Sequence, residues 1–133
     1  MFKVTKVIHF CYGHRLLRYA GKCRHLHGHN ARVEIELAAA KLDRRGMVMD
    51  FNDVKRKIQG WIDASLDHRM ILNARDPVIP KLKTLQEPFL TLKSNPTAET
   101  LARMIFDHAR KERFPVTEVR LWETETSFAT YRG

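Results

Sequence analysis

Cysteine is scarce: the 133 residues contain two, Cys11 and Cys23. Two thiols make no disulfide framework, and in a reducing compartment both stay reduced. No apolar run is long enough to span a bilayer, so no membrane partner is expected. The opening Met1-Phe2-Lys3-Val4-Thr5-Lys6 has neither the apolar stretch nor the small-residue cleavage site of a signal peptide, and a cytoplasmic location follows as the expectation. Acidic residues are few, 15 against 24 Lys and Arg, for a net charge of +9. That excess suits an anionic partner, either a phosphorylated small molecule or nucleic acid. The basic residues are spread along the chain, and the short clusters Lys55-Arg56-Lys57 and Arg110-Lys111 fall on predicted helices, where a solvated face is the simpler explanation. A zinc-bearing nucleic-acid module fits poorly, because there is no Cys-x2-Cys pair and no clear recognition helix. Repeats and low-complexity segments are absent as well. Hydrophobic residues make up 44%, enough for one packed core and one domain over 1–133, and too many for disorder.

Histidine is what the chain has. Cys23-Arg24-His25-Leu26-His27-Gly28-His29 packs a thiol and three imidazoles into one short stretch that runs into Ala31-Arg32-Val33-Glu34-Ile35-Glu36-Leu37. The latter alternates apolar and charged residues, the period of a strand with one buried face. Carried backwards, the parity places His25, His27 and His29 on the face of Val33 and Ile35, with Cys23 nearby. Same-face imidazoles at i and i+2 can chelate a metal. Three in a row would span about 13 Å of strand, too far for one ion. His27 and His29 therefore supply two ligands, and His14, in a glycine-flanked loop after the first strand, is favoured as the third over His9. Three protein ligands plus an open position is the pattern of a catalytic zinc. With Cys23 as a fourth ligand the site would instead be closed and structural. Ordinary hydrogen-bonded core histidines are the plainest alternative.

The coarse element order is strand, strand, helix, helix, strand, strand. Phe2–Phe10 reads as the first strand and His27 to Ala40 as the second, followed by a turn at Asp43-Arg44-Arg45-Gly46 and a short continuation at Met47-Val48-Met49. Asp50 or Asn52 caps a helix to Ser65, with Val54, Ile58, Trp61 and Ile62 on one face. Residues 73–94, with Pro77, Pro80 and Pro88, read as loop with one short helix. Asn95 as N-cap and Pro96 at the first helical position open a second helix, whose inner face is Ala98, Leu101, Ala102, Ile105 and Ala109. Strands around Val119–Glu123 and Phe128–Thr130 close the chain. With no strict strand–helix alternation, the expectation is α+β with an antiparallel sheet.

Two further groups carry chemistry. Asp67 beside His68 can fix an imidazole tautomer for proton transfer near neutral pH, although a polar helix end is the simpler explanation. Glu123 shares inward parity with Val119 and Leu121, and its carboxylate can accept two parallel N–H bonds from an arginine or from a guanine-like or pterin ring. Glu125 has the same parity and is the alternative.

The His14 segment, Gly21-Lys22-Cys23, Leu26-His27-Gly28-His29-Asn30, Gly46-Met47-Val48-Met49-Asp50-Phe51, Leu66-Asp67-His68, Asn95-Pro96-Thr97-Ala98-Glu99 and Trp122-Glu123-Thr124, taken in order, resemble the 6-pyruvoyl-tetrahydropterin synthase and 6-carboxytetrahydropterin synthase family over nearly the whole chain. The resemblance implies a tunnelling fold: a four-stranded antiparallel sheet with two helices on one face, oligomerising edge to edge into a β-barrel, usually as a hexamer, with active sites at subunit interfaces. It implies Zn2+ on His14, His27 and His29, Cys23 as proton acceptor, Asp67 and His68 polarising it, and Glu123 anchoring the pterin with help from Thr97. The implied substrate is 7,8-dihydroneopterin triphosphate, with zinc acting as the Lewis acid. The short segment between Cys23 and His27 looks like the carboxy-forming branch on the path to queuosine, which releases acetaldehyde and triphosphate. The alternatives are the pyruvoyl branch, which eliminates triphosphate and keeps the carbons, and a non-catalytic pterin-binding paralogue. Two departures stand out. Tyr12-Gly13 replace the usual pair of small residues before His14, and the 74–94 segment is longer than in compact members.

Overall fold

The computed structural model describes all residues, Met1–Gly133. It is built on a six-stranded mixed sheet in the order β4 (Phe89–Leu92), β3 (Arg69–Asn73), β1 (Phe2–His14), β2 (His27–Ala39), β5 (Val116–Thr124) and β6 (Ser127–Tyr131). The long hairpin β1 (Phe2–His14) and β2 (His27–Ala39) is antiparallel, with Ile8 opposite Val33 and His14 opposite His27. β5 (Val116–Thr124) runs antiparallel to β2, and β6 (Ser127–Tyr131) antiparallel to β5. This is the expected four-stranded antiparallel unit. The expectation falls short at its edge, where β3 (Arg69–Asn73) and β4 (Phe89–Leu92) add two short parallel strands. The crossover between them holds the expected short helix, α3 (Ile79–Thr84), and with the strands half of the segment read as loop over 73–94 is helix or strand.

β2 obeys its alternation: Ala31, Val33, Ile35 and Leu37 are buried, and the residues between them are more exposed. Onto this face pack two helical runs. The first comprises α1 (Phe51–Val54), capped by the Asp50 carboxylate at the Asn52 N–H, a π-helical stretch Lys55–Gln59, and α2 (Gly60–Ser65). Val54, Ile58 and Ile62 are fully buried from it, and Trp61 is half-buried. The second, α4 (Ala98–Lys111), buries Leu101, Ala102, Ile105, Phe106 and Ala109. Each fully buried Ile or Leu contributes about 1.5–3 kcal/mol of transfer free energy, so this shared face holds helices and sheet together.

Three local expectations are corrected. Met47-Val48-Met49 is irregular rather than strand. The N-cap of α4 is Thr97, whose hydroxyl accepts from the Thr100 N–H, because the Asn95 amide is engaged across the fold with the N–H and carbonyl of Leu17. β1 does not end at Phe10; it continues to His14, which is the last residue of the strand and not part of a loop.

Candidate active site

The β1–β2 ladder is what brings the imidazoles together. His14 and His27 are directly opposite on adjacent strands, and His29 lies two residues further along β2 on the same face. The ring centroids of His14, His27 and His29 are 4.5 to 5.0 Å apart. Their ligand atoms all fall within 4.8 Å of one another. Two rings are oriented by backbone carbonyls: His14 Nδ1 is 2.7 Å from the Pro96 oxygen, and His27 Nδ1 is 2.7 Å from the His25 oxygen. A carbonyl only accepts, so each Nδ1 carries the proton and each Nε2 keeps its lone pair for the centre.

These residues fit a zinc ion. His27 Nε2 is buried and has no hydrogen-bond partner, an arrangement that is costly unless something else satisfies it. His14 Nε2 and His29 Nε2 are 3.1 Å apart, near the spacing of about 3.3 Å between two nitrogens on one tetrahedral zinc with bonds of 2.0–2.1 Å. Burial lowers the His14 pKa against the opposing pull of the Pro96 carbonyl and Glu123, which favours the neutral, ligating form.

The other histidines do not join. His25 caps a 3-10 turn at Lys22–Arg24 and its ring is exposed; only its carbonyl serves the site. The parity argument failed there because the strand begins at His27. His9 points to the opposite face and is exposed.

Beside His14 lies a cavity of about 300 Å³, lined also by Cys23, Thr97, Glu123 and Phe128 among others. It holds the half-buried Cys23 and the Glu123 carboxylate together. Glu123 Oε1 lies 4.0 Å from His14 Nε2 and accepts a hydrogen bond of 3.3 Å from the Tyr12 hydroxyl. The Thr97 hydroxyl is committed to its cap and to the Thr100 hydroxyl. Glu125 is exposed in the β5–β6 turn.

Asp67 and His68 form the predicted pair, with His68 Nδ1 2.8 Å from Asp67 Oδ2. Within one chain they are not brought to Cys23. The Cys11 N–H donates to Asp67 Oδ1 and the His68 N–H to the Cys11 carbonyl, so the pair gathers at Cys11, where Cys11 and His68 line a second cavity of about 540 Å³ that His27 and His29 also border. Burial pushes the Asp67 carboxyl up, but the Cys11 N–H and His68 outweigh it and hold it below the usual range. His68 has a left-handed backbone, φ 56°, in the turn immediately before β3.

Sequence reasoning missed an ion pair behind the site. The Arg15 guanidinium binds both oxygens of buried Asp76, which also accepts from the Val78 N–H. The pair ties the residue after His14 to the segment leading into α3. Two residues of opposite charge, 61 positions apart, gave no local signal.

Comparison with known proteins gives the family and the fold. The family model for 6-pyruvoyl tetrahydropterin synthase matches residues 3–133. A Rickettsia typhi protein named 6-carboxy-5,6,7,8-tetrahydropterin synthase is 38% identical, the match covering 96% of this chain and 98% of that one. A Haemophilus influenzae protein of the same name is 35% identical over 99% of both. Among solved structures, an uncharacterised protein from Wolinella succinogenes superposes with a TM-score of 0.83 at 26% identity over 99% of this chain and 98% of that one. The Caenorhabditis elegans 6-pyruvoyl tetrahydropterin synthase has a TM-score of 0.74 at 24% identity over 99% of this chain and 95% of that one, which shows the shared tunnelling fold. With a match of this length and relatives at this identity, the chain belongs to the 6-pyruvoyl tetrahydropterin synthase family.

Proposed function

We propose that this protein is a 6-carboxy-5,6,7,8-tetrahydropterin synthase, converting 7,8-dihydroneopterin triphosphate and water to 6-carboxytetrahydropterin, acetaldehyde and triphosphate in queuosine biosynthesis. The observation that carries the proposal is the buried, unpartnered His27 nitrogen in a three-imidazole cluster whose His14 lines a cavity with Cys23 and Glu123. The names of the relatives support the carboxy-forming branch.

In this reading His14, His27 and His29 hold zinc, which when bound supplies Lewis acidity toward the hydroxyls of the substrate side chain. Glu123 receives the N–H groups of the pterin ring and fixes its orientation. Cys23 accepts a proton from the side chain and returns it at the neighbouring carbon. Thr97 shapes the cavity wall at the start of α4. The excess of Lys and Arg favours the triphosphate.

Asp67 and His68 act on Cys23 of another copy in a hexamer. Two features support assembly. The Phe2–Cys11 part of β1 has no strand on its outer side, and β6 is an open edge of the sheet. Open edges invite pairing with another chain. No helix is long and apolar enough to cross a membrane.

The test is incubation of the zinc-loaded protein with 7,8-dihydroneopterin triphosphate. Acetaldehyde released in step with triphosphate supports the proposal. Triphosphate without acetaldehyde assigns the pyruvoyl branch instead. Zinc and pterin binding without either product assigns a non-catalytic paralogue.

A further inference from the structure

Tyr12 stands where the family resemblance calls for a small residue, and the structure gives that side chain a specific position. It is 3% exposed, stacked on Phe10 at 5.5 Å, edge-on to His14 at 5.1 Å, and opposite His29 in the β1–β2 ladder. β2 lies between β1 and β5, so a β1 side chain must cross a strand to meet β5. The Tyr12 hydroxyl does so and donates to Glu123 Oε1 at 3.3 Å, the one hydrogen bond Glu123 receives in the structure.

Glu123 has two places to go. Its carboxylate faces the cavity, where an N–H-bearing ring would meet it, and its Oε1 is 4.0 Å from His14 Nε2, at the edge of the imidazole centre. A carboxylate oxygen is a good fourth ligand for zinc, and a fourth protein ligand would close the open position. A carboxylate offers about four lone-pair sites. One bond from Tyr12 occupies one of them, leaving Oε2 and the rest of Oε1 for a fork of two N–H groups.

We infer that Tyr12 is a positioning residue that holds Glu123 Oε1 at the margin of the three-imidazole centre, 4.0 Å from His14 Nε2, and leaves Oε2 to the pterin cavity, keeping the metal's fourth place free. The inference rests on the proposed zinc and pterin roles of the site. It predicts effects of opposite sign. Tyr12→Phe keeps the buried ring and removes only the hydroxyl. The freed carboxylate then becomes a fourth ligand, so zinc, measured by competition with a chromophoric chelator, binds about tenfold tighter. Binding of neopterin, followed by its fluorescence, weakens about tenfold. A merely structural role for the hydroxyl would weaken both or neither. Adding Glu123→Gln to Tyr12→Phe abolishes the gain in zinc affinity. Glu123→Gln alone leaves zinc affinity within twofold of wild type and loses neopterin binding, a result that stands even where Tyr12→Phe fails to fold.

Zinc affinity unchanged or weaker in Tyr12→Phe overturns the inference, as does a tenfold loss of zinc affinity in Glu123→Gln alone. Failure of the underlying proposal is visible separately, because the wild-type protein would then bind no zinc. If it binds zinc but no neopterin, the metal measurements still test the tether.

Discussion

Asp76→Ala isolates the ion pair that braces the site from behind. The Asp76 side chain is 0% exposed and that of Arg15 is 22% exposed. The carboxylate takes Arg15 Nε at 2.7 Å and the Val78 N–H at 2.8 Å, with a second guanidinium bond beside them. Breaking a buried pair costs 3–5 kcal/mol, and because the freed guanidinium can turn to water the low end applies, about 3 kcal/mol. For a chain of this size that lowers Tm by roughly 10 °C. The assay is urea denaturation at fixed protein concentration with a chelator present, so that metal binding does not mask the change. The pH dependence is the sharper readout. Arg15 holds the Asp76 carboxyl below its ordinary value, so the unfolded chain binds its proton at higher pH than the folded one. The pair's contribution is therefore complete above the unfolded value of about 3.9 and disappears as pH falls through the lower folded value. The gap between wild type and Asp76→Ala should be constant from pH 7 to pH 5 and shrink only in stronger acid. A gap below about 1 kcal/mol at pH 7, or one that shrinks already between pH 7 and 5, refutes the reasoning.

His27→Ala should lose both zinc and turnover, while Cys23→Ala keeps zinc and loses turnover; metal analysis and product assay on the same samples separate them. Cys23→Ala and His68→Ala are each expected to be inactive, yet refolding them together should restore up to a quarter or so of activity if one copy's Asp67–His68 serves another's Cys23; no recovery in mixed oligomers would place the pair elsewhere. Thr97→Val should destabilise the protein by about 1 kcal/mol through loss of the α4 N-cap, measured by thermal unfolding, with zinc content unchanged.

Much of the fold was legible because it is written in local periodicity. The alternation from Ala31 to Leu37 located β2 and its buried face, and the helical spacing of Val54, Ile58 and Ile62 located the first helical run. The same rule, applied to Ile8, Phe10, Tyr12 and His14, would have carried β1 to its observed end; Gly13 hid it by suggesting a loop. His14, His27 and His29 do converge, but register and not a loop folding back unites them. β3 and β4 were obscure because parallel pairing is non-local, and the prolines between them mark the crossover and not an absence of structure. Asn95 offered good capping chemistry, and only the tertiary partner Leu17 explains why Thr97 takes the cap. No sequence pattern places Asp67 and His68 at Cys11 rather than Cys23; that follows from β3 lying beside the end of β1.

X-ray absorption spectroscopy of the zinc-loaded protein examines the metal centre directly. Three imidazole nitrogens at 2.0–2.1 Å and one light oxygen atom, with no sulfur, is the expected shell. A sulfur at about 2.3 Å would make Cys23 a ligand and the site a closed structural one, and a shell without three imidazoles would contradict the assignment of His14, His27 and His29.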